Sequence, residues 1–244
     1  MLPRDNIEAI IFDLDDTLRQ NNPDANHFFV DFANSLGLKI DRQSALDAQR
    51  WTHLYWATSD ELLEDIQTFT GYEEPFWENY TRRHLASYGF KADLVDQHLP
   101  AIFAHMRENY NPESRLLPGA LDTLRSLRAA GYQVGLLTNR TRSIHAEMSQ
   151  LDLDLHLDFF FAASQLGAFK PQRALFDGML EFIGLPPERV VYVGDNYYAD
   201  ALGARNAEIT PVLLDAPGLY PDADCLVIQS LPEILSLLAL EAVS

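Results

Sequence analysis

The stretch Ile10-Ile11-Phe12-Asp13-Leu14-Asp15-Asp16-Thr17-Leu18 decides the fold. A short apolar run that ends abruptly in carboxylates reads as a central strand of a parallel sheet, buried on both faces. Ligands of open parallel sheets sit beyond the carboxyl ends of the strands, so Asp13 falls where chemistry is concentrated. On extended chain, residues two apart point the same way, which brings Asp13 and Asp15 into one small volume. Two ionised carboxylates so close repel each other. A hard divalent cation such as Mg²⁺, which takes carboxylate oxygens, relieves the repulsion. Taken alone, the stretch also fits a plain acidic turn after a strand.

Outward from this strand the periodicity turns helical for about ninety residues. Asn22-Pro23-Asp24 reads as an N-cap with Pro at the first helical position, followed by Ala25, Phe28, Phe29, Phe32, Ala33 and Leu36 at helical spacing and closed by Gly37. Further helices are predicted from near Asp41, carrying Trp51 and Tyr55, from about Pro75 to Gly89, and through Val95, Leu99, Ile102, Phe103 and Met106. No strand is predicted here. From Leu117 onward helices alternate with short apolar runs at Val134–Leu137, Phe159–Phe161 and Val190–Val193, with Thr210–Leu214 and Leu226–Ile228 as expected edge strands. The predicted fold class is α/β, a doubly wound parallel sheet with a Rossmann-like core. Residues 1–18 and 113–244 make that core, and residues 19–112 an inserted all-helical cap domain. The crossings near Leu18–Asn22 and Asn109–Ser114 would act as hinges.

Of 244 residues, 47% are hydrophobic, enough for a large core or a core with an insert. The formal charge of −18 argues against a nucleic-acid polymer or an anionic membrane as partner, since both call for Lys and Arg. The single cysteine, Cys225, suits a reducing compartment. Met1–Asn6 carries no basic region leading into an apolar one, so no signal peptide is expected. No apolar stretch has the length of a membrane span. The expectation is a cytoplasmic monomer or homodimer.

Four strand ends carry polar groups: Asp13 and Asp15; Thr138-Asn139-Arg140; Lys170, just before Pro171; and Gly194-Asp195-Asn196, with Asp200 one turn later. Hydrolysis of a phosphate monoester has a use for each type. An aspartate oxygen can attack phosphorus, and a divalent cation screens the two anions. A hydroxyl and a cation stabilise the equatorial oxygens, and a second carboxylate gives the leaving alkoxide its proton. Each has a plainer reading too. Thr138-Asn139 and Asp195-Asn196 fit helix N-caps, and Lys170 fits a solvated loop lysine.

The order of these residues resembles that of the haloacid dehalogenase superfamily. Asp13-Leu14-Asp15-Asp16-Thr17 is similar to its first motif, Thr138-Asn139 to its second, Lys170-Pro171 to its third, and Gly194-Asp195 with Asp200 to its fourth. The insert resembles the family's helical cap of the first type. The resemblance implies Asp13 as nucleophile and metal ligand, and Asp15 as general acid/base with its main-chain carbonyl on the metal. It implies Thr138 and Lys170 on the phosphoryl group, Asp195 as a direct Mg²⁺ ligand, and Asp200 behind it or orienting Lys170. Asn139, and more weakly Arg140, would touch substrate. Arg19 reads as a residue under the cap or a hinge-surface charge.

The implied activity is Mg²⁺-dependent hydrolysis of small soluble phosphate monoesters through an aspartyl-phosphate. A phosphomutase of the same superfamily, or a binding protein on the same fold, are the alternatives. Dehalogenase chemistry has little use for Asp15 and is set aside. Trp51, Tyr55, Trp77, Tyr80 and Tyr88 fit either a core or a pocket that stacks a nucleobase or a pyridoxal ring. That aromatic content tips the expected substrate toward a nucleoside monophosphate. The seven histidines form no HExxH pair, so no zinc site is assigned.

Overall fold

Ala9–Phe12 forms β1, and all four of its residues are buried. The computed structural model describes residues 2, 6–69 and 71–240, so most of the Met1–Asn6 stretch lies outside the described residues. The remaining strands are β2 (Arg19–Asn22), β3 (Glu113–Leu116), β4 (Gln133–Thr138), β5 (Phe159–Ala162), β6 (Val190–Gly194), β7 (Thr210–Leu214) and β8 (Leu226–Ile228). Six of them form one sheet in the order β5-β4-β1-β6-β7-β8, and every pair in it is parallel. This is the α/β, Rossmann-like fold that the alternation of helices and apolar runs predicts.

The two-residue period of an extended chain explains why β1 has no polar residue. Ile10 and Phe12 join one core with Leu124, Leu127 and Ile234. Ala9 and Ile11 join the other, with Leu175, Phe176 and Met179. Helices Ala120–Ala129 and Glu233–Leu237 thus supply one face, and Arg173–Ile183 the other. The register sets Phe12 level with Leu136 of β4 and Val193 of β6. Three polar strand ends therefore emerge side by side.

Two compact units divide the chain: residues 1–20 with 115–244, and residues 21–114. The second holds helices Ala25–Ser35, Arg42–Trp56, Asp60–Thr68, Glu74–Ser87 and Ala92–Asn109. No helix among the described residues is long and apolar enough to cross a membrane.

Four sequence expectations need correction. The first helix is capped by Asp24, whose carboxylate accepts from the His27 N–H at 2.8 Å, and not by Asn22. Helix Asp60–Thr68 was not predicted; Ser59 caps it by accepting from the Leu62 N–H. Where no strand was expected after Leu18, the crossing segments contain β2 and β3, which pair into a two-stranded sheet. Their sequences, RQNN and ESRL, carry no apolar alternation to announce them. Finally, β7 is an interior strand, flanked by β6 and β8. Pro211 lies one residue into the strand, ahead of the buried Val212, Leu213 and Leu214.

In the helical unit His84 is buried against the Phe29 ring, 4.5 Å between centroids, with Nε2 3.2 Å from the Tyr88 hydroxyl. Burial pulls its pKa down from 6.5 to about 4. The folded state thus resists a proton that the unfolded state accepts. Its contribution is complete above pH 6.5 and falls away as the pH drops toward 4, by about 3 kcal/mol at the limit. Thermal melts of wild type and His84→Phe at pH 7 and pH 4.5 should show the larger acid-induced drop in the wild type.

Candidate active site

The carboxyl end of β1 delivers Asp13, only 6% exposed, with its N–H donating to the Val193 carbonyl at 2.8 Å. β4 delivers Thr138, also buried. Lys170 arrives on the loop after the short helix Ala163–Leu166. Asn139 ties that loop to the end of β4: Nδ2 donates to the Lys170 carbonyl at 3.0 Å, and the Lys170 N–H donates to Oδ1 at 2.6 Å. The structure thereby gives Asn139, expected on the substrate, a holding role.

Lys170 is 2% exposed; its ammonium is enclosed. It donates to Asp13 Oδ1 at 2.5 Å, Asp200 Oδ1 at 2.6 Å and the Tyr192 hydroxyl at 3.0 Å. The Tyr192 hydroxyl in turn donates to the Leu137 carbonyl at 2.8 Å. Asp200 is fixed from its other side by the Asn196 N–H, 2.9 Å from Oδ2. It reaches this place only because residue 194 is glycine: a Cβ there would lie 2.3 Å from the Asp200 carboxyl. Asp195 accepts from the Thr17 hydroxyl at 3.1 Å. Asn196 is the N-cap of the following turn, accepting from the Tyr198 and Ala199 N–H groups.

Asp13, Asp195 and Asp200 offer carboxylate oxygens that all lie within 4.8 Å of one another. Burial pushes Asp13 up to about 7, with Asp200 and Asp15 adding to the rise and Lys170 opposing it. Burial, then the charges of Asp16, Asp200 and Asp13, push Asp195 well above the carboxylate range. For Lys170, burial works against the charge, but Asp13 and Asp200 outweigh it and hold the ammonium protonated. Three clustered carboxyls beside one ammonium can all be ionised together only with further positive charge among them. Such an all-oxygen donor set fits a hard divalent cation.

The Asp15 side chain lies outside this group. Arg140 grips it with Nε on Oδ2 at 2.9 Å and Nη2 on Oδ1 at 2.7 Å, and Arg19 adds Nη2 on Oδ1 at 2.8 Å. Burial would raise its pKa, but the two guanidiniums outweigh burial and hold it below the usual value. Glu147, on helix His145–Gln150, pairs with both arginines. Sequence reasoning assigned nothing to Thr17, Tyr192 or Glu147. Thr17 continues the two-residue series from Asp13 and Asp15 and was legible. Tyr192 read as an apolar strand residue, and Glu147 as one acid among many.

Carboxylates, an ammonium and a hydroxyl gathered beyond the strand ends of a parallel sheet mark an α/β enzyme. The profile of the haloacid dehalogenase-like hydrolases matches residues 7–208. The chain belongs to that family. It is 29% identical over 247 aligned positions to a glyceraldehyde 3-phosphate phosphatase of Pyrococcus furiosus, covering 96% of this chain and 94% of that one. It is 26% identical to a phosphoserine phosphatase of Thermus thermophilus, covering 88% and 91%. The crystal structure of a phosphatase of this family from Thermococcus onnurineus shares the fold, with a TM-score of 0.57 at 20% identity over 97% of this chain and all of that one.

A divalent cation that binds the carboxylate group should raise the melting temperature of the wild type. At a hundred times its Kd the gain is about 2.7 kcal/mol. Asp195→Asn should lose most of that gain, as read by calorimetry with Mg²⁺ and with EDTA.

Proposed function

We propose that the protein is a Mg²⁺-dependent phosphatase of small phosphate monoesters, working through an aspartyl-phosphate on Asp13. The observation that carries this reading is the buried Asp13 carboxylate at the end of β1, held by the Lys170 ammonium at 2.5 Å. An Asp13 oxygen attacks phosphorus, and the bond from phosphorus to the ester oxygen breaks with its electron pair on that oxygen. Asp15, ionised in the resting site under Arg140 and Arg19, takes a proton from solvent once the charge of the phosphate dianion stands beside it and gives that proton to the leaving oxygen. A water then attacks the phosphoryl group and yields a proton to Asp15, and the bond from Asp13 to phosphorus breaks. One water is consumed, an alcohol and inorganic phosphate are released, and both aspartates return to their starting state.

Lys170 and the Thr138 hydroxyl stabilise the charge on the equatorial oxygens. Asp13, Asp195 and the Asp15 main-chain carbonyl would hold Mg²⁺. Asp200, with both oxygens already engaged by Lys170 and Asn196, supports them as the anchor of Lys170. The ion, when bound, neutralises the carboxylates and the phosphate against each other.

The relatives named above carry phosphate on a triose and on a hydroxy amino acid. That supports a small phosphorylated metabolite, and a pyrimidine 5'-nucleotidase of Escherichia coli, 26% identical over 63% of this chain, supports a nucleoside monophosphate in the same way. The aromatic argument for a nucleobase weakens, because Trp51 packs on Tyr55 and Tyr80 inside the helical unit, with centroids 5.0 and 5.7 Å apart.

Phosphate release from an aryl phosphate should require a divalent cation and fall at least about a thousandfold in Asp13→Asn. A panel of triose, hydroxy-acid and nucleoside monophosphates then ranks the substrates. Formation of an isomeric phosphate with little free phosphate would instead establish a mutase. Wild-type turnover by the Asp13→Asn variant would remove Asp13 from the role of nucleophile.

A further inference from the structure

Three of the four acceptor positions of the Asp15 carboxylate are taken by guanidinium donors. Arg140 meets it as a fork at 2.9 and 2.7 Å, and Arg19 adds a third contact at 2.8 Å. A carboxylate offers about four lone-pair sites, so one site is left, on Oδ2. Arg140 is itself braced, because its Nη1 pairs with Glu147. The circuit closes on the other side, where Arg19 Nε lies 3.2 Å from Glu147 Oε1. Asp15, Arg140, Glu147 and Arg19 therefore form a ring of four alternating charges. Arg19 and Glu147 are the more enclosed members, with side chains 11% and 20% exposed.

Two cations and two carboxylates cancel. The ring has no net charge with which to attract a phosphate, so anion capture is a poor account of it. It does supply geometry. A forked guanidinium fixes the plane of a carboxylate as well as its distance, which a point charge cannot do. Isolated pairs at the surface hold little, but a closed network restrains each member from two sides.

We propose that Arg140, braced by Glu147, is a positioning residue for Asp15: it sets the plane of the carboxylate so that a single Oδ2 site serves the ester oxygen and then the water. This rests on the hydrolytic reading above. Arg140 touches neither the phosphoryl group nor the carboxylates of the Asp13 cluster in this scheme, and it acts only through Asp15.

The test compares kcat/KM for an alkyl phosphate, whose leaving oxygen needs a proton, with that for 2,4-dinitrophenyl phosphate, whose leaving group does not. Arg140→Gln should lose about a hundredfold on the alkyl ester and stay within about twofold on the dinitrophenyl ester. Arg140→Lys should recover only part of the loss, for want of the fork. Glu147→Gln, which keeps Arg140 and removes its brace, should show the same bias more weakly and serves if Arg140→Gln folds poorly. Crystal structures of wild type and Arg140→Gln supply a readout independent of turnover: the Asp15 carboxylate should be rotated in the variant. Equal losses on both esters in a folded variant, or an unrotated carboxylate, overturn the proposal. If the wild type hydrolyses neither ester, the phosphatase reading fails, while the orientation of Asp15 still decides the role of Arg140.

Discussion

The Lys170 ammonium, enclosed by Asp13, Asp200 and Tyr192, is the constraint on which the other parts of the core unit converge. Burying a charge costs several kcal/mol unless partners surround it in good geometry. Those partners come from the end of β1, from the middle of β6 and from the turn after β6. The sheet register that sets Phe12 level with Val193 is thus also what lets one lysine meet acids 30 and 157 positions away in sequence. Local details follow from the same demand. Gly194 has no side chain because Asp200 lies against it. Asn139 holds the Lys170 backbone by both ends of its amide. Tyr192, an aromatic residue in a buried strand, keeps its hydroxyl paired on both sides.

Asp13 and Asp15 stand two residues apart on extended chain, yet their surroundings drive them in opposite directions. Burial lifts Asp13 to about 7 despite Lys170. The guanidiniums of Arg140 and Arg19 hold Asp15 down despite burial. This resting order is the reverse of what a nucleophile and a general acid call for; a cation beside Asp13 and a phosphate beside Asp15 would each shift its carboxyl the required way. A nucleophilic carboxylate must be ionised, so an added positive charge beside Asp13 would serve it. Asp15 is gripped on both oxygens by side chains of its own unit, whereas Lys170 holds Asp13 on one.

Strand ends and their acids were legible in the sequence because a buried parallel strand has to be apolar throughout. The first polar residue after Phe12, Leu137 or Val193 therefore marks where the strand leaves the sheet. The motif at Lys170 was legible only through the resemblance, since a lysine before a proline has no signature of burial. The misses share a cause. β2 and β3 pair with each other and bury no apolar face, so periodicity had nothing to register. Helix Asp60–Thr68 has few buried residues, and one of them is the charged Asp65. In β7, expected at an edge, Pro211 near the start of the strand removes one donor and leaves the downstream pairing with β6 and β8 intact. Glu147 was invisible because its meaning is tertiary: it matters only once Arg19 and Arg140 have been brought to it.

The aromatic density of residues 51–88 serves first the packing of the helical unit. In the fold the rings satisfy one another. Tyr55 is buried with its hydroxyl donating to Asp65 at 2.9 Å, and Asp65 is also gripped by Arg83. Trp56 packs against Tyr55, Tyr80 and Trp77. Tyr55 and Phe76, wholly covered, have no surface left for a base, while Trp51, Trp56 and Tyr80 are partly buried. Among the described residues of this cluster, Tyr72 and Trp77 are the large aromatics that keep over two-fifths of their surface exposed. Packed aromatic pairs add stability beyond their buried area, which suits a five-helix unit whose two apolar clusters are small. The aromatic content of this segment is accounted for by its own folding, and it carries no independent argument about what the core unit hydrolyses.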